Sequence, residues 1–267
     1  MPSRPVRPSA GRTGANRRSA IPPEVLAALN RGQEATRTLS EWLAVDQAAV
    51  ARAVLPEVLG EQARPVIAVA ESLAAEGVMG RTRGIGAALA PVLRADLGTL
   101  ASHRSDVVRT WVCYAYAAQP RRTLAQRLAD LRPFAVDEHF GVREIAWMAL
   151  RPHLAVDLPQ ALTLLRAWAA DADANLRRCA SEATRPRGVW CTQLTALVAD
   201  PAPAEPLLDL LRADPSRYVQ VSVGNWLNDA GKSCPDWLDA LAQRWRSTSP
   251  GTATAAILVR GLRNRPV

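Results

Sequence analysis

Glu144, Glu182 and Asp229 are the residues whose type and spacing point first to chemistry. Each follows a marker residue in one of four similar segments: SDVVRTWVCYAYA from Ser105, EHFGVREIAWMAL from Glu138, DADANLRRCASEA from Asp171 and DPSRYVQVSVGNWLND from Asp214. The segments align on Arg109, Arg143, Arg177 and Gln220. Turned about 100° per residue from those anchors, the three acids fall at about 100°, 140° and 180°. The apolar positions Val108, Val142, Leu176 and Val219, with Val112, Ala146, Ala180 and Val223, fall between about 260° and 340°. The carboxylates therefore share an arc away from the packed face, with Arg151, Arg178, Arg185 and Asn225 beside them. Grouped carboxylates can stabilise a developing positive charge and accept a proton from water. A solvated helix face carrying ordinary surface ion pairs has the same pattern, and periodicity alone leaves both readings open.

The elements that must position these acids are helices. The anchors recur at intervals of 34, 34 and then 43 residues, the spacing of helical-hairpin repeats of the HEAT or armadillo kind. Further helices are expected between the anchored ones, at 121–132, 158–170, 204–213 and 236–246, with a closing helix near 252–263. The extra residues of the third step are expected around Pro201 and Pro203. Gly60, Gly77, Gly80, Pro120, Pro133, Pro152, Pro159, Pro186, Pro201, Pro215 and Pro235 punctuate the chain at short intervals, and no segment alternates as a strand would. The expected fold is all-α, a right-handed α-solenoid of HEAT-like repeats whose second helices line a concave groove. Residues 1–22, rich in Pro, Arg, Ser and Gly, read as a flexible basic tail, and order is expected to begin near Pro22 and Pro23.

Composition narrows the partner. The 267 residues carry a formal charge of +8, almost all of the positive charge as arginine. Arginine forks match phosphate geometry, although an acidic protein or a membrane surface would also attract such a chain. Cys113, Cys179, Cys191 and Cys234 form no CxxC pair, and neither they nor His103, His139 and His153 have zinc-ligand spacing, so no metal or cofactor is expected. No apolar run is long enough to span a bilayer and no signal-peptide core is present, so the expected location is cytoplasmic, at the nucleoid.

At these residues the chain resembles the HEAT-like-repeat DNA alkylation repair glycosylases, the C-type branch of the AlkC/AlkD superfamily. The resemblance is carried by EWLAVDQ at 41–47, SHRSDVVRTWVCYA at 102–115, EHFGVREIAW at 138–147, SEATRPRGVW at 181–190 and YVQVSVGNWLNDAGKSCPDWL at 218–238. It implies a single repeat domain over 23–267 that wraps duplex DNA as a monomer and excises alkylated purines without flipping the base. It implies catalytic roles for Glu144, Glu182, Trp190 and Asp229, Trp190 resting on the resemblance alone. Gln220 and Val221 stand where the family carries arginines, and Gly188-Val189 replaces Leu-Pro. No C-terminal immunoglobulin-like domain is expected, because the chain ends soon after the last motif.

A purine alkylated at N3 or N7 is cationic and leaves without protonation, so the site need only stabilise charge on the sugar and hold a water. Asp229 and Glu144 are expected beside the sugar and Glu182 in support, with Trp190 against the deoxyribose or, alternatively, in the core. Arg143, Arg177, Arg178, Arg185, Arg187 and Lys232 are the candidate phosphate contacts. The anchors Arg109, Arg143 and Arg177 have an alternative role as bridges between repeats. Two other functions stay open: a self-resistance glycosylase for bulky natural-product adducts, and a non-catalytic DNA- or protein-binding module.

Overall fold

A computed structural model describes residues 12–92 and 97–264, and all its regular structure is helical. The α-helices are α1 (Pro23–Asn30), α2 (Leu39–Ala44), α3 (Gln47–Leu59), α4 (Ala63–Ser72), α5 (Val78–Leu89), α6 (Leu97–Ala101), α7 (Asp106–Ala117) and α8 (Leu124–Ala135). They continue with α9 (Phe140–Leu154), α10 (Leu158–Ala169), α11 (Ala174–Thr184), α12 (Thr195–Ala199), α13 (Glu205–Leu211), α14 (Arg217–Gly231), α15 (Pro235–Thr248) and α16 (Thr252–Gly261). The expected intervening helices are present as α8, α10, α13, α15 and α16. Pro133 and Pro152 lie inside α8 and α9 instead of ending them. Both sit close to a C-terminus, where little helix remains to disrupt. The chain divides into two compact units, one of residues 1–122 with 137–146, the other of 123–136 with 147–267.

In the first unit α3, α4, α5 and α7 pack in sequence. Gly86 lets α5 approach α7 closely, since a Cβ there would meet Tyr114 Cβ and the Trp111 carbonyl. Buried Gln47 accepts from Trp111 Nε1 at 2.9 Å and donates to Thr82 Oγ1 at 2.8 Å, satisfying polar groups that burial would otherwise penalise. Order begins earlier than Pro22. Glu41, fully buried, accepts from the Arg12 guanidinium at 2.5 and 3.0 Å and from the Ala15 amide at 2.9 Å. The Thr38 and Ser40 hydroxyls donate to the Ala15 and Asn16 carbonyls. Residues 12–16 of the expected tail are thus held by side chains of α2 and its N-cap; residues 1–11 lie outside the described residues.

In the second unit α11 packs on α10 and α14, and α14 on α16. Gly224 permits the α14–α16 approach, where a Cβ would lie 2.7 Å from Arg260 Cβ. The core includes Trp147, Trp226 and Trp245, each almost wholly buried, and Trp168. Trp237 is half-buried and donates to Glu205 at 2.6 Å.

The anchor residues have a shared structural task. Arg109 Nη1 donates to the carbonyls of His103 and Arg104, Arg143 Nη1 to those of Asp137 and Glu138, and Arg177 Nη1 to those of Asp171 and Ala172. Gln220 reaches the Asp214 carbonyl in the same way. Each anchor staples the turn that enters its own helix. The residue six before each anchor completes the turn: Asp137, Asp171 and Asp214 accept the amide two residues on at 2.7–2.9 Å, and His103 Nδ1 does so at 3.1 Å. Two anchors also reach the next turn. Arg109 binds Asp137 through two nitrogens at 2.9 and 3.0 Å, and Arg177 binds Asp214 at 2.6 and 3.1 Å. Bridging between repeats is therefore the role these two side chains fill.

Candidate functional site

The site candidates of the second unit gather at the C-terminal ends of α11 and α14. The register of the two helices is pinned by Ser181 Oγ against Ser222 Oγ at 2.9 Å and by Trp226 Nε1 donating to Thr184 Oγ1 at 3.2 Å. That register brings Glu182 and Asp229 to a common arginine. Arg185 donates through Nη1 to Glu182 Oε2 at 3.0 Å, and through Nε and Nη2 to Asp229 Oδ2 at 2.9 and 2.7 Å. Both carboxylates are only 4% exposed. Lys232 Nζ lies 3.2 Å from Asp229 Oδ1. Arg178 Nη2 stands 3.7 Å from Glu182 Oε1, with its guanidinium 4.3 Å above the Tyr218 ring. Asp229 lies within α14, which runs on to Gly231.

Charge and burial oppose each other at Arg185. Burial alone would lower its guanidinium, but Glu182 and Asp229 more than offset this and hold it above the usual arginine value. Arg263 is held below that value, first by burial and then by Arg260. The cluster therefore holds two carboxylates in a place of restricted water, with one arginine contacting both.

The segment between α11 and α12 presents the tryptophan. Arg151 is 2% exposed and donates to the carbonyls of Ala183, Arg185 and Thr192 at 2.8–3.3 Å. It satisfies end carbonyls of α11 and staples both limbs of the loop. Burial pulls this guanidinium below its usual value, the nearby Cys191 opposing, and burial likewise pushes the Cys191 thiol up. Gly188 fits beneath the loop because a Cβ would meet Cys191 Sγ and, at 3.1 Å, Arg151 Cζ. Trp190 stands at the tip, 52% exposed, at φ 59°. A bulky residue in the left-handed region costs on the order of 1 kcal/mol, which the staple of Arg151 offsets. The Arg187 side chain donates to Ser233 Oγ at 2.6 Å.

Several expected placements change. The extra residues of the third repeat step lie between α11 and α13: they begin earlier than expected, with the 185–194 loop and α12, and run through Pro201 and the 3-10 turn Ala202–Ala204. Arg151, Glu182 and Asp229 do not line an open wall: all three are nearly buried, Arg151 under the loop. Arg177 is consumed by Asp214 and two carbonyls, which removes it from the open phosphate contacts. Trp190 is exposed, not core. Glu144, half-buried on α9, belongs to the first unit with Arg143, so Glu182 and Asp229 are the expected acids that one unit brings together. Sequence reasoning missed the loop-stapling role of Arg151 and the Asp214 partner of Arg177; the six-residue spacing Asp137–Arg143, Asp171–Arg177 and Asp214–Gln220 was the available signal.

Residues 103–257, which include both the ladder of anchors and the Glu182–Arg185–Asp229 cluster, match the family described as DNA alkylation repair enzyme. The chain belongs to the DNA alkylation repair enzyme family. The chain is similar to an uncharacterised protein, YhaZ, of Bacillus subtilis (strain 168), at 39% identity over 115 residues, 43% of this chain and 32% of that protein. Among solved structures it is similar to the alkylpurine DNA glycosylase AlkC of Pseudomonas fluorescens bound to DNA containing an abasic site analog. That match has a TM-score of 0.68 and 29% identity over 81% of this chain and 61% of the other. The Streptococcus mutans UA159 protein smu.31 shares the fold, at TM-score 0.51 and 19% identity over 73% and 89% of the two chains. The chain spans about a third of the curated relative and about three fifths of the glycosylase chain. No described helix is long and apolar enough to cross a membrane.

Proposed function

We propose that this chain is a DNA glycosylase that hydrolyses the N-glycosidic bond of cationic N3- or N7-alkylated purines in duplex DNA, acting as a monomer in base excision repair. The observation that carries the reading is the pair of nearly buried carboxylates, Glu182 and Asp229, both held by Arg185, the residue from which the loop bearing the exposed Trp190 sets out. Family membership and the likeness to an alkylpurine glycosylase bound to abasic DNA support it.

The chemistry follows from the substrate's charge. The bond from C1′ to the alkylated base breaks with its electron pair moving to the base nitrogen, which neutralises the base. Positive charge then develops on the sugar, where Asp229 stabilises it and Glu182 supports the field. A water oxygen bonds to C1′ and gives its proton to a carboxylate. Glu144, in the first unit, is proposed as a further catalytic carboxylate, and Trp190 as an apolar platform against deoxyribose. Because the base is already a good leaving group, no enclosed base pocket is required and the adduct stays in the stack. Arg178, Arg187 and Lys232, with Arg143, are proposed to hold phosphates, while Arg185 serves the carboxylates.

The test is release of free base from duplex DNA carrying 3-methyladenine, 7-methylguanine or a bulky N7 adduct. Release by the wild type, slowed in Asp229→Asn and Glu144→Gln, is expected; tight DNA binding with no release would contradict the reading. The complete ion pairing of Glu182 and Asp229 favours one competitor, a DNA-binding module in which these pairs only join repeats. It predicts that unreactive outcome.

A further inference from the structure

We propose that Lys232 is a displaceable counter-ion: it occupies the Asp229 oxygen that a cationic substrate must approach, and it leaves that oxygen when the cation arrives. The inference rests on the glycosylase reading and adds the device by which the site prefers a cationic nucleotide over a neutral one.

The two oxygens of Asp229 are held differently. Arg185 aims both Nε and Nη2 at Oδ2 and spends Nη1 on Glu182. Moving Arg185 would strip two nearly buried carboxylates of their counter-charge at once, a large penalty in a poorly solvated place. Oδ1 receives only the longer contact from Lys232 among the described residues, at 3.2 Å. The Lys232 side chain is 46% exposed whereas the Asp229 side chain is 5% exposed. A flexible, half-exposed ammonium on one long contact is weakly bound there, and the bulk water or a DNA phosphate can take it up.

Like-charge repulsion supplies the direction. Besides Arg185 and Lys232, Glu182 has Arg178 at 3.7 Å, and the charges of Arg151 and Arg263 act on the same carboxylates, so the cluster holds no spare negative charge for a further cation. A cationic sugar or base arriving with Lys232 in place would meet an ammonium of the same sign. With Lys232 withdrawn, the incoming cation takes the vacated position and the local charge is unchanged. A neutral ligand offers no such replacement, so it leaves Lys232 on Asp229. Lys232 is the only lysine in a chain that otherwise uses arginine. Its compact point charge, unlike a forked guanidinium, makes a single contact that breaks in one step.

Equilibrium binding of the full chain to two duplexes at pH 7 tests this. One duplex carries a pyrrolidine ring, protonated at that pH, in place of one deoxyribose; the other carries the neutral tetrahydrofuran ring. The wild type is expected to prefer the cationic duplex. Lys232→Met should raise that preference about three- to fivefold, the worth of an exposed ion pair. Asp229→Asn should abolish it, and adding Lys232→Met to Asp229→Asn should change nothing more. If Lys232→Met weakens both duplexes equally while the preference persists and depends on Asp229, the displacement proposal fails and the site reading stands. If the wild type has no preference and Asp229→Asn is silent, the reading of Asp229 as facing the cation fails, and the proposal with it.

Discussion

Helices α11 and α14 carry an arginine–carboxylate pair at each end, and the two pairs differ in what they leave over. At the N-terminal end Arg177 meets Asp214 side-on through two nitrogens, and its remaining nitrogen is spent on two carbonyls. Asp214 in turn caps the Ser216 amide. At the C-terminal end Arg185 is divided between two acids, and one oxygen of Asp229 is met only by a half-exposed lysine among the described residues. The first pair is closed by a backbone amide and belongs to the scaffold. The second is closed by a half-exposed lysine that a ligand can reach. Equal burial of Asp214 and Asp229, at 4%, shows that exposure alone does not separate the two roles; each accepts three hydrogen bonds, and the third donor separates them, the Ser216 amide in one and the half-exposed Lys232 in the other.

The comparison can be broken at either end. Asp229→Asn should lower single-turnover base release by about 100-fold or more, the usual scale for losing a charge aimed at a transition state. Arg177→Met should leave Asp214 without its ion-pair partner and cost about 3 kcal/mol of stability in denaturant melts. It should leave the salt dependence of DNA binding unchanged, because its charge is already spent. Trp190→Ala should slow release about tenfold with little change in the melt, since half of the side chain is exposed. Trp190→Gly should be more stable than Trp190→Ala by about 1 kcal/mol, because glycine accepts the positive φ.

The smallest effect concerns the one turn that uses histidine where the others use aspartate. His103 is held at about 4, below the ordinary 6.5, first by burial and then by Arg104 and Arg109. The unfolded chain binds the proton first, so stability is complete above pH 6.5 and falls as pH drops from about 6.5 to about 4. The loss should be on the order of 1 kcal/mol once solvent screening of this half-buried ring is allowed for. His103→Asp should remove the slope in that window.

The sequence made the scaffold legible because its chemistry is periodic. Arg109, Arg143 and Arg177 recur with their apolar neighbours, and the intervening helices follow from that spacing. The acids were legible as an arc, but an angle on a wheel says nothing of depth. Glu182 and Asp229 lie nearly buried on that arc, and so does Arg151, which serves the carbonyl end of α11. Arg177 and Arg185 are the same residue type eight positions apart in one segment, and only the partners brought by α14 separate a repeat bridge from a site residue. The docking of residues 12–16 depended on Glu41, whose partners Arg12 and Ala15 lie more than twenty residues away.

The central claim is that chemistry resides at the C-terminal pair and structure at the N-terminal one. Single-turnover release of free base from a methylated duplex, normalised to folded protein, tests it directly with Asp229→Asn and Arg177→Met side by side. The account predicts a folded but nearly inactive Asp229→Asn and a less stable Arg177→Met that releases base at close to the wild-type rate. Equal release by Asp229→Asn and the wild type would contradict it.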